Sequence, residues 1–187
     1  MASEIIVQTI KGPTSGANAN KVIIPSGQTL DVTNATLEKV PSSGESLQVK
    51  YSTRIGKVAL TSVSFVEIST SLRVTITIKS ATSLLEFMCP LYTEVDSSTT
   101  HGVAELVYST DGGSVWNRWS DYNVTAATDN DIGFGFIDYM DHSFAVGTSV
   151  IFRVNYRLTS PGGNHAIADT GPGEEPAAYL KVQEIAQ

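Results

Sequence analysis

The chain has 187 residues, of which 41% are hydrophobic and 17% charged, with a net charge of −7 at pH 7, a globular balance that suits one ordinary domain plus an extension and argues against a disordered chain. An acidic chain has no basic surface to displace counterions from phosphates, which excludes nucleic-acid binding; between Ser80 and Phe152 only Arg118 is basic, against ten carboxylates. The lone Cys89 excludes an intrachain disulfide and a cysteine-based metal cluster, and no run approaches the roughly 20 apolar residues needed for membrane insertion.

The opening MASEIIVQTIKG lacks the basic start and long apolar run of a secretory signal, so the sequons at Asn34 and Asn123 are read as chance occurrences in a Thr-rich chain. Ile5, Ile6, Val7 and Ile10 suit a short strand or a turn of helix, and Gly12-Pro13-Thr14-Ser15-Gly16 ends either. Lys21-Val-Ile-Ile-Pro-Ser-Gly and Leu30-Asp-Val-Thr-Asn are strand signals too short to build a core in one chain. Residues 1–44 are therefore expected to form an attachment or assembly arm that ends on the linker Pro41-Ser-Ser-Gly44.

From Glu45 onward the pattern is that of a β domain spanning 45–187. The expected strands are Leu47–Tyr51, Ile55–Leu60, Val63–Ile68, Leu72–Lys79, Ser83–Val95, Val103–Tyr108, Val115–Trp119, Ile132–Tyr139, Ser149–Leu158 and Tyr179–Ile185. In Leu72–Lys79 the residues Leu72, Val74, Ile76 and Ile78 alternate with Arg73, Thr75, Thr77 and Lys79, which gives one strand a dry face and a wet face. The short break Ser80-Ala81-Thr82 leads to a second apolar strand, so the two are expected to pair as an antiparallel hairpin. Pro90 must end that second strand, bend it or confine it to an edge. Asp111-Gly112-Gly113 predicts a hairpin turn and Ser160-Pro-Gly-Gly163 a loop. The long connection from Thr159 to Ala178 reads as a surface loop, after which the last strand returns to the sheet. About ten strands without an amphipathic helix imply an all-β, antiparallel jelly-roll-like sandwich.

Residue patterns for chemistry are sparse. His101, His142 and His165 are isolated and are read as surface or hydrogen-bonded residues. There is no nucleophile elbow and no phosphate-binding glycine loop, so no enzyme activity, no catalytic residue and no cofactor are expected. Asp129-Asn130-Asp131 lacks the spacing of a calcium loop and reads as a solvated turn, with no metal expected. Tyr108, Trp116, Trp119 and Tyr122 flank the Asp111 turn. Aromatic faces stack on sugars, which makes Trp116, Trp119 and Tyr122 the candidate glycan contacts. The competing and favoured reading places the tryptophans in the core; at a spacing of three on a strand they face opposite ways, leaving one outside.

Thr61–Ile68, Leu72–Leu85, Val107–Gly113, Phe136–Asp138, Val150–Val154 and Val182–Ile185, with Ser3–Val7 and Val22–Leu30 ahead of them, together resemble the C-terminal jelly-roll domains of tailed-phage fibre proteins, nearest in pattern to those of phages of marine bacteria and cyanobacteria. The resemblance implies a homotrimeric virion protein located on the tail or capsid surface. It also implies that residues 1–44 dock on other virion proteins and that the sandwich faces solvent or host; a host surface glycan is the contact expected for its loops. It carries over no catalytic residue. The length is short for a tail fibre, so a short fibre or spike and a capsid decoration protein clamping shell subunits both fit, and a monomeric carbohydrate-binding module is the alternative of a different class.

Overall fold

The computed structural model describes residues 41–95, 101–124, 132–161, 165–167 and 178–187. All but the last four residues of the expected arm lie outside these, as does Asp129-Asn130-Asp131. Among the described residues the strands are β1 (Ser46–Tyr51), β2 (Val58–Leu60), β3 (Val66–Glu67), β4 (Val74–Thr77), β5 (Leu84–Val95), β6 (Gly102–Ser109), β7 (Asn117–Val124), β8 (Ile132–Asp141), β9 (Ser149–Leu158), β10 (His165–Ile167) and β11 (Lys181–Ile185). They form two antiparallel sheets packed as a sandwich. One runs β1-β11-β5-β10-β2, with β8 on the other side of β5; the other runs β3-β9-β6-β7, with β4 also on β9. The first strand and the last are neighbours: Val49 pairs with Gln183 and Tyr51 with Lys181, so the domain is closed by its own end.

The core lies where the inner faces of β5 and β9 meet. Leu85, Phe87, Cys89 and Leu91 face Val150, Phe152, Val154 and Tyr156, all fully buried, and the rings of Phe87 and Phe152 stand 4.9 Å apart at 59°. Burial in this apolar layer raises the Cys89 thiol pKa strongly, so the only cysteine is held neutral and unreactive. Leu72, Val74, Ile76 and Ile78 are likewise at most 2% exposed, as their alternation predicts. Leu72 reaches this position from a 3-10 turn, Thr70–Leu72, capped by the Ser69 side chain, which accepts from Ser71 N–H.

The expected hairpin between the Leu72 and Ser83 segments does not form. β4 pairs with β9 in one sheet and β5 with β11, β8 and β10 in the other, so Ser80-Ala81-Thr82 is a corner between sheets rather than a hairpin turn. Pro90 does not end β5, which runs through it from Leu84 to Val95. On one side it pairs with Gly135, where a Cβ would come within 3.3 Å of Cys89 O and Pro90 Cα. On the other side it falls between the reach of β11, which stops at Met88, and that of β10, which starts at Thr93, where no described strand asks for its missing N–H. The connection from Thr159 to Ala178 is also more than a loop: β10 within it bridges Thr93–Val95 of β5 and Val58–Leu60 of β2. Three residues are too few to show a period.

β6 is buried on both faces. At its start, a Cβ on Gly102 would meet the Tyr156 ring and hydroxyl far inside contact distance, and Tyr156 is itself fully buried. Gly102→Ala is therefore expected to cost about 1–3 kcal/mol by overpacking, read as a lower urea midpoint, with Tyr156→Leu in the same chain relieving part of the loss.

Candidate functional site

The Asp111 loop joins β6 to β7 and positions the first candidate, Trp116. Asp111 Oδ1 accepts from Ser109 Oγ at 2.6 Å and from the Ser114 and Val115 N–H groups at 3.0 Å. These donors, Ser109 first, hold its carboxyl below the usual carboxylate range. Gly112 and Gly113 take φ of 77° and 95°, a region that side-chain-bearing residues rarely enter. The loop folds Trp116 back over the outer face of the β9 sheet. There the Arg153 guanidinium lies 3.8 Å from the ring centroid and that of Arg73 5.4 Å away. Both arginines bind Glu67: Arg73 through two bonds of 2.6 Å and Arg153 Nη1 at 3.3 Å. The hydrogen bonds from Arg73 hold the Glu67 pKa down, and burial lowers that of Arg153. Arg153 Nε is buried without a hydrogen-bond partner among the described residues, and the π face of Trp116 is what lies over its guanidinium. Trp116 is thus half-buried in a cation–π stack, outside the core and with one face already occupied by a cation.

Trp119 is the extra residue of a β-bulge: Val107 pairs with Arg118 and Leu106 with Ser120, leaving Trp119 unopposed. It is 37% exposed, and its Nε1 donates to Asp138 Oδ2 on β8 at 3.2 Å, tying the outer strands of the two sheets together. Tyr122 pairs with Ala104, and its side chain falls outside the described residues. The favoured reading of the tryptophans as core residues is therefore corrected. Neither enters the core, because the loop lifts one onto the outer face and the bulge turns the other to the sheet edge. Their partners also differ: Trp116 stacks on Arg153 and Arg73, and Trp119 donates to Asp138.

A polar cluster that single residues did not reveal sits at the corner between the sheets. Glu184, fully buried on β11, accepts from Lys79 N–H, Ser80 N–H, Ser83 Oγ and Gln48 Nε2 at 2.5–3.1 Å. His142 reaches the same cluster. Its Nδ1 accepts from Phe144 N–H at 3.2 Å, which leaves the proton on Nε2, 3.0 Å from Ser83 Oγ. Ser83 is only 2% exposed and lies between the imidazole and the carboxylate, so its hydroxyl links two groups rather than facing a substrate. Burial lowers the His142 pKa, against the opposing pull of Glu184 and Asp141. The unfolded ring titrates near 6.5, so its contribution to stability is present above about pH 6.5 and is lost as pH falls toward the lower folded value. Urea midpoints at about pH 7.5 and 5.5 are expected to drop more for the native chain than for His142→Gln.

A cleft of about 290 Å³ on the β1 side is lined by Tyr51, Ser52, Arg54 and Tyr179. The Tyr51 and Tyr179 rings are 6.1 Å apart at 52°, and the Arg54 guanidinium lies 5.9 Å from the Tyr179 centroid. Two aromatic rings, a hydroxyl and a guanidinium are the groups that stack on a sugar ring and bind its oxygens. Sequence spacing missed this cleft because Tyr51 and Tyr179 are brought together only by the pairing of β1 with β11.

No family model matches the chain, and no curated protein matches it in sequence. Among solved structures it is similar to the Eiger TNF of S. frugiperda, at 9% identity and a TM-score of 0.44 over 74% of this chain and 92% of that one. It is also similar to a structure of infectious bursal disease virus Gt strain, at 14% identity and a TM-score of 0.44, over 88% of this chain but 43% of that one.

Proposed function

We propose that the chain is a structural protein of a phage virion: a trimeric fibre or spike in which residues 1–44 dock on the particle and the sandwich faces the host surface. The observation that carries this reading is that the segments resembling fibre jelly rolls coincide with the frame of the fold. Leu72–Leu85 covers β4 and the sheet corner, Val150–Val154 lies in β9, and Val182–Ile185 closes the domain on β1. The cleft of Tyr51, Arg54 and Tyr179 supports contact with a host surface glycan better than Trp116 does, whose face Arg153 already covers.

The cleft also favours a second reading, a monomeric carbohydrate-binding module. Light scattering on the full chain separates the two. Three times the single-chain mass of 19.9 kDa is expected, and a monomer would overturn the spike. A monomer that binds on a glycan array, and loses that binding in Tyr179→Ala, would establish the module instead.

A further inference from the structure

The cleft of Tyr51, Ser52, Arg54 and Tyr179 discriminates among sugars by what its polar groups still have to offer. Its walls are held before any ligand arrives. Ser52 N–H donates to Leu180 O at 2.8 Å and Ile55 N–H to Ala178 O at 3.1 Å, which pins the segment carrying Arg54 beside the one carrying Tyr179. Little ordering is left to oppose binding. The Ser52 hydroxyl is already committed: it donates to Thr53 O at 3.1 Å and accepts from Leu180 N–H at 2.8 Å. The described ion pairs engage Arg73, Arg118, Arg153 and Lys181, and Arg54 is in none of them. Its guanidinium, 5.9 Å from the Tyr179 centroid, sits at the outer edge of cation–π range.

No carboxylate and no side-chain amide lines the cleft. A neutral sugar presents hydroxyls, each with a proton that seeks an acceptor. The lining instead offers the five N–H donors of one guanidinium and two phenol O–H groups, which favours a ligand that accepts. The surrounding charge agrees. Ser46 to Val66 contains Lys50, Arg54 and Lys57 and no carboxylate, within a chain of net charge −7. Lys181, opposite Tyr51 on β11, binds Glu86 at 2.8 Å and cancels the charge of that carboxylate. From this donor-rich lining we infer that the cleft takes an acidic sugar, one whose ring carries a carboxylate. Arg54 holds the carboxylate through two parallel N–H donors while the tyrosine rings lie against the sugar. At about 290 Å³ the cleft is at the small end of ligand sites, which suits a single terminal ring. The inference rests on the glycan-contact reading above and names the class of sugar.

A glycan array probed with the full chain at pH 7 tests it. The array carries oligosaccharides ending in uronic or sialic acid, the methyl esters of the same sugars, and neutral and sulfated sugars. The free acids are expected to bind. Methyl esterification keeps the ring and removes the charge, and is expected to weaken binding about 10- to 100-fold. Arg54→Gln is expected to lose the same factor for the acids, and Arg54→Lys to recover only part of it, because an ammonium is a point charge rather than a fork. Circular dichroism of both variants is expected to be unchanged, since Arg54 is exposed. Esters or neutral sugars that bind as tightly as the acids, sulfated sugars that bind more tightly, or full binding of the acids by Arg54→Gln would each overturn the acidic sugar while leaving the glycan cleft intact. Binding of no glycan on the array overturns the cleft as a glycan site and this inference with it.

Discussion

Glu184→Ala is expected to destabilise the protein by about 3–5 kcal/mol, more than the loss of any single exposed ion pair. The carboxylate is fully buried and accepts from Lys79 N–H, Ser80 N–H, Ser83 Oγ and Gln48 Nε2. No described cation pairs with it, so these dipoles alone compensate its desolvation. Truncation leaves the Lys79 and Ser80 N–H donors without their acceptor, each unsatisfied group costing about 1–3 kcal/mol, partly offset by removing a buried charge, while the Ser83 hydroxyl keeps the Ser80 carbonyl at 2.8 Å. Glu184→Gln keeps one acceptor oxygen and sets an NH2 against the remaining donors, and an intermediate loss of about 1–3 kcal/mol is expected. Urea unfolding near pH 7 measures both. A loss below about 1 kcal/mol in the alanine variant would mean that water replaces the carboxylate and that the corner is not held by it.

Phe152→Ala is expected to cost about 3–5 kcal/mol, the range for deleting a fully buried aromatic ring. Phe152 contacts the opposite sheet through Phe87 and continues outward through Tyr108, 6.4 Å away, to Phe144, 5.4 Å beyond, and to His142, stacked on Phe144 at 18°. The row of rings leads from the centre of the sandwich to the Glu184 corner. A double-mutant cycle of Phe87→Leu with Phe152→Leu is expected to show a coupling of about 0.5–1.5 kcal/mol. Additive losses would show that the two rings contribute independently, with no pairwise interaction between them. The two predictions concern different physics, one polar and one apolar, at the places where the sheets are joined.

The strands were legible because burial on one face imposes a period of two. β5, β8 and β9 lie where alternation and β-branched content place them, and Leu72, Val74, Ile76 and Ile78 all point inward. The partners of those strands were less legible. A short polar break between two apolar runs suits a hairpin and a sheet-to-sheet corner equally well, and the choice at Ser80–Thr82 depends on Glu184, about a hundred residues away in the chain. β10 has too few residues for a pattern. Pro90 was expected to end its strand, bend it or confine it to an edge, but β5 runs through it between two neighbours, and the tandem arrangement of β11 and β10 leaves a gap opposite it.

Aromatic residues near a turn suggested a surface for sugars, and residue type alone had no means of showing that Arg153 would stack on Trp116 or that a bulge would turn Trp119 toward Asp138. The cleft of Tyr51, Arg54 and Tyr179 depends on the same kind of long-range register. Local alternation, turn residues, acidity and the single cysteine thus determine an all-β sandwich without disulfides. Tertiary structure decides which sheet each strand joins, which carboxylate is buried, and which apolar side chains are left facing solvent. The physical reason is that side-chain periodicity is set by neighbours one and two residues away. Pairing, burial of charge and exposed faces are set by contacts between residues far apart in the chain.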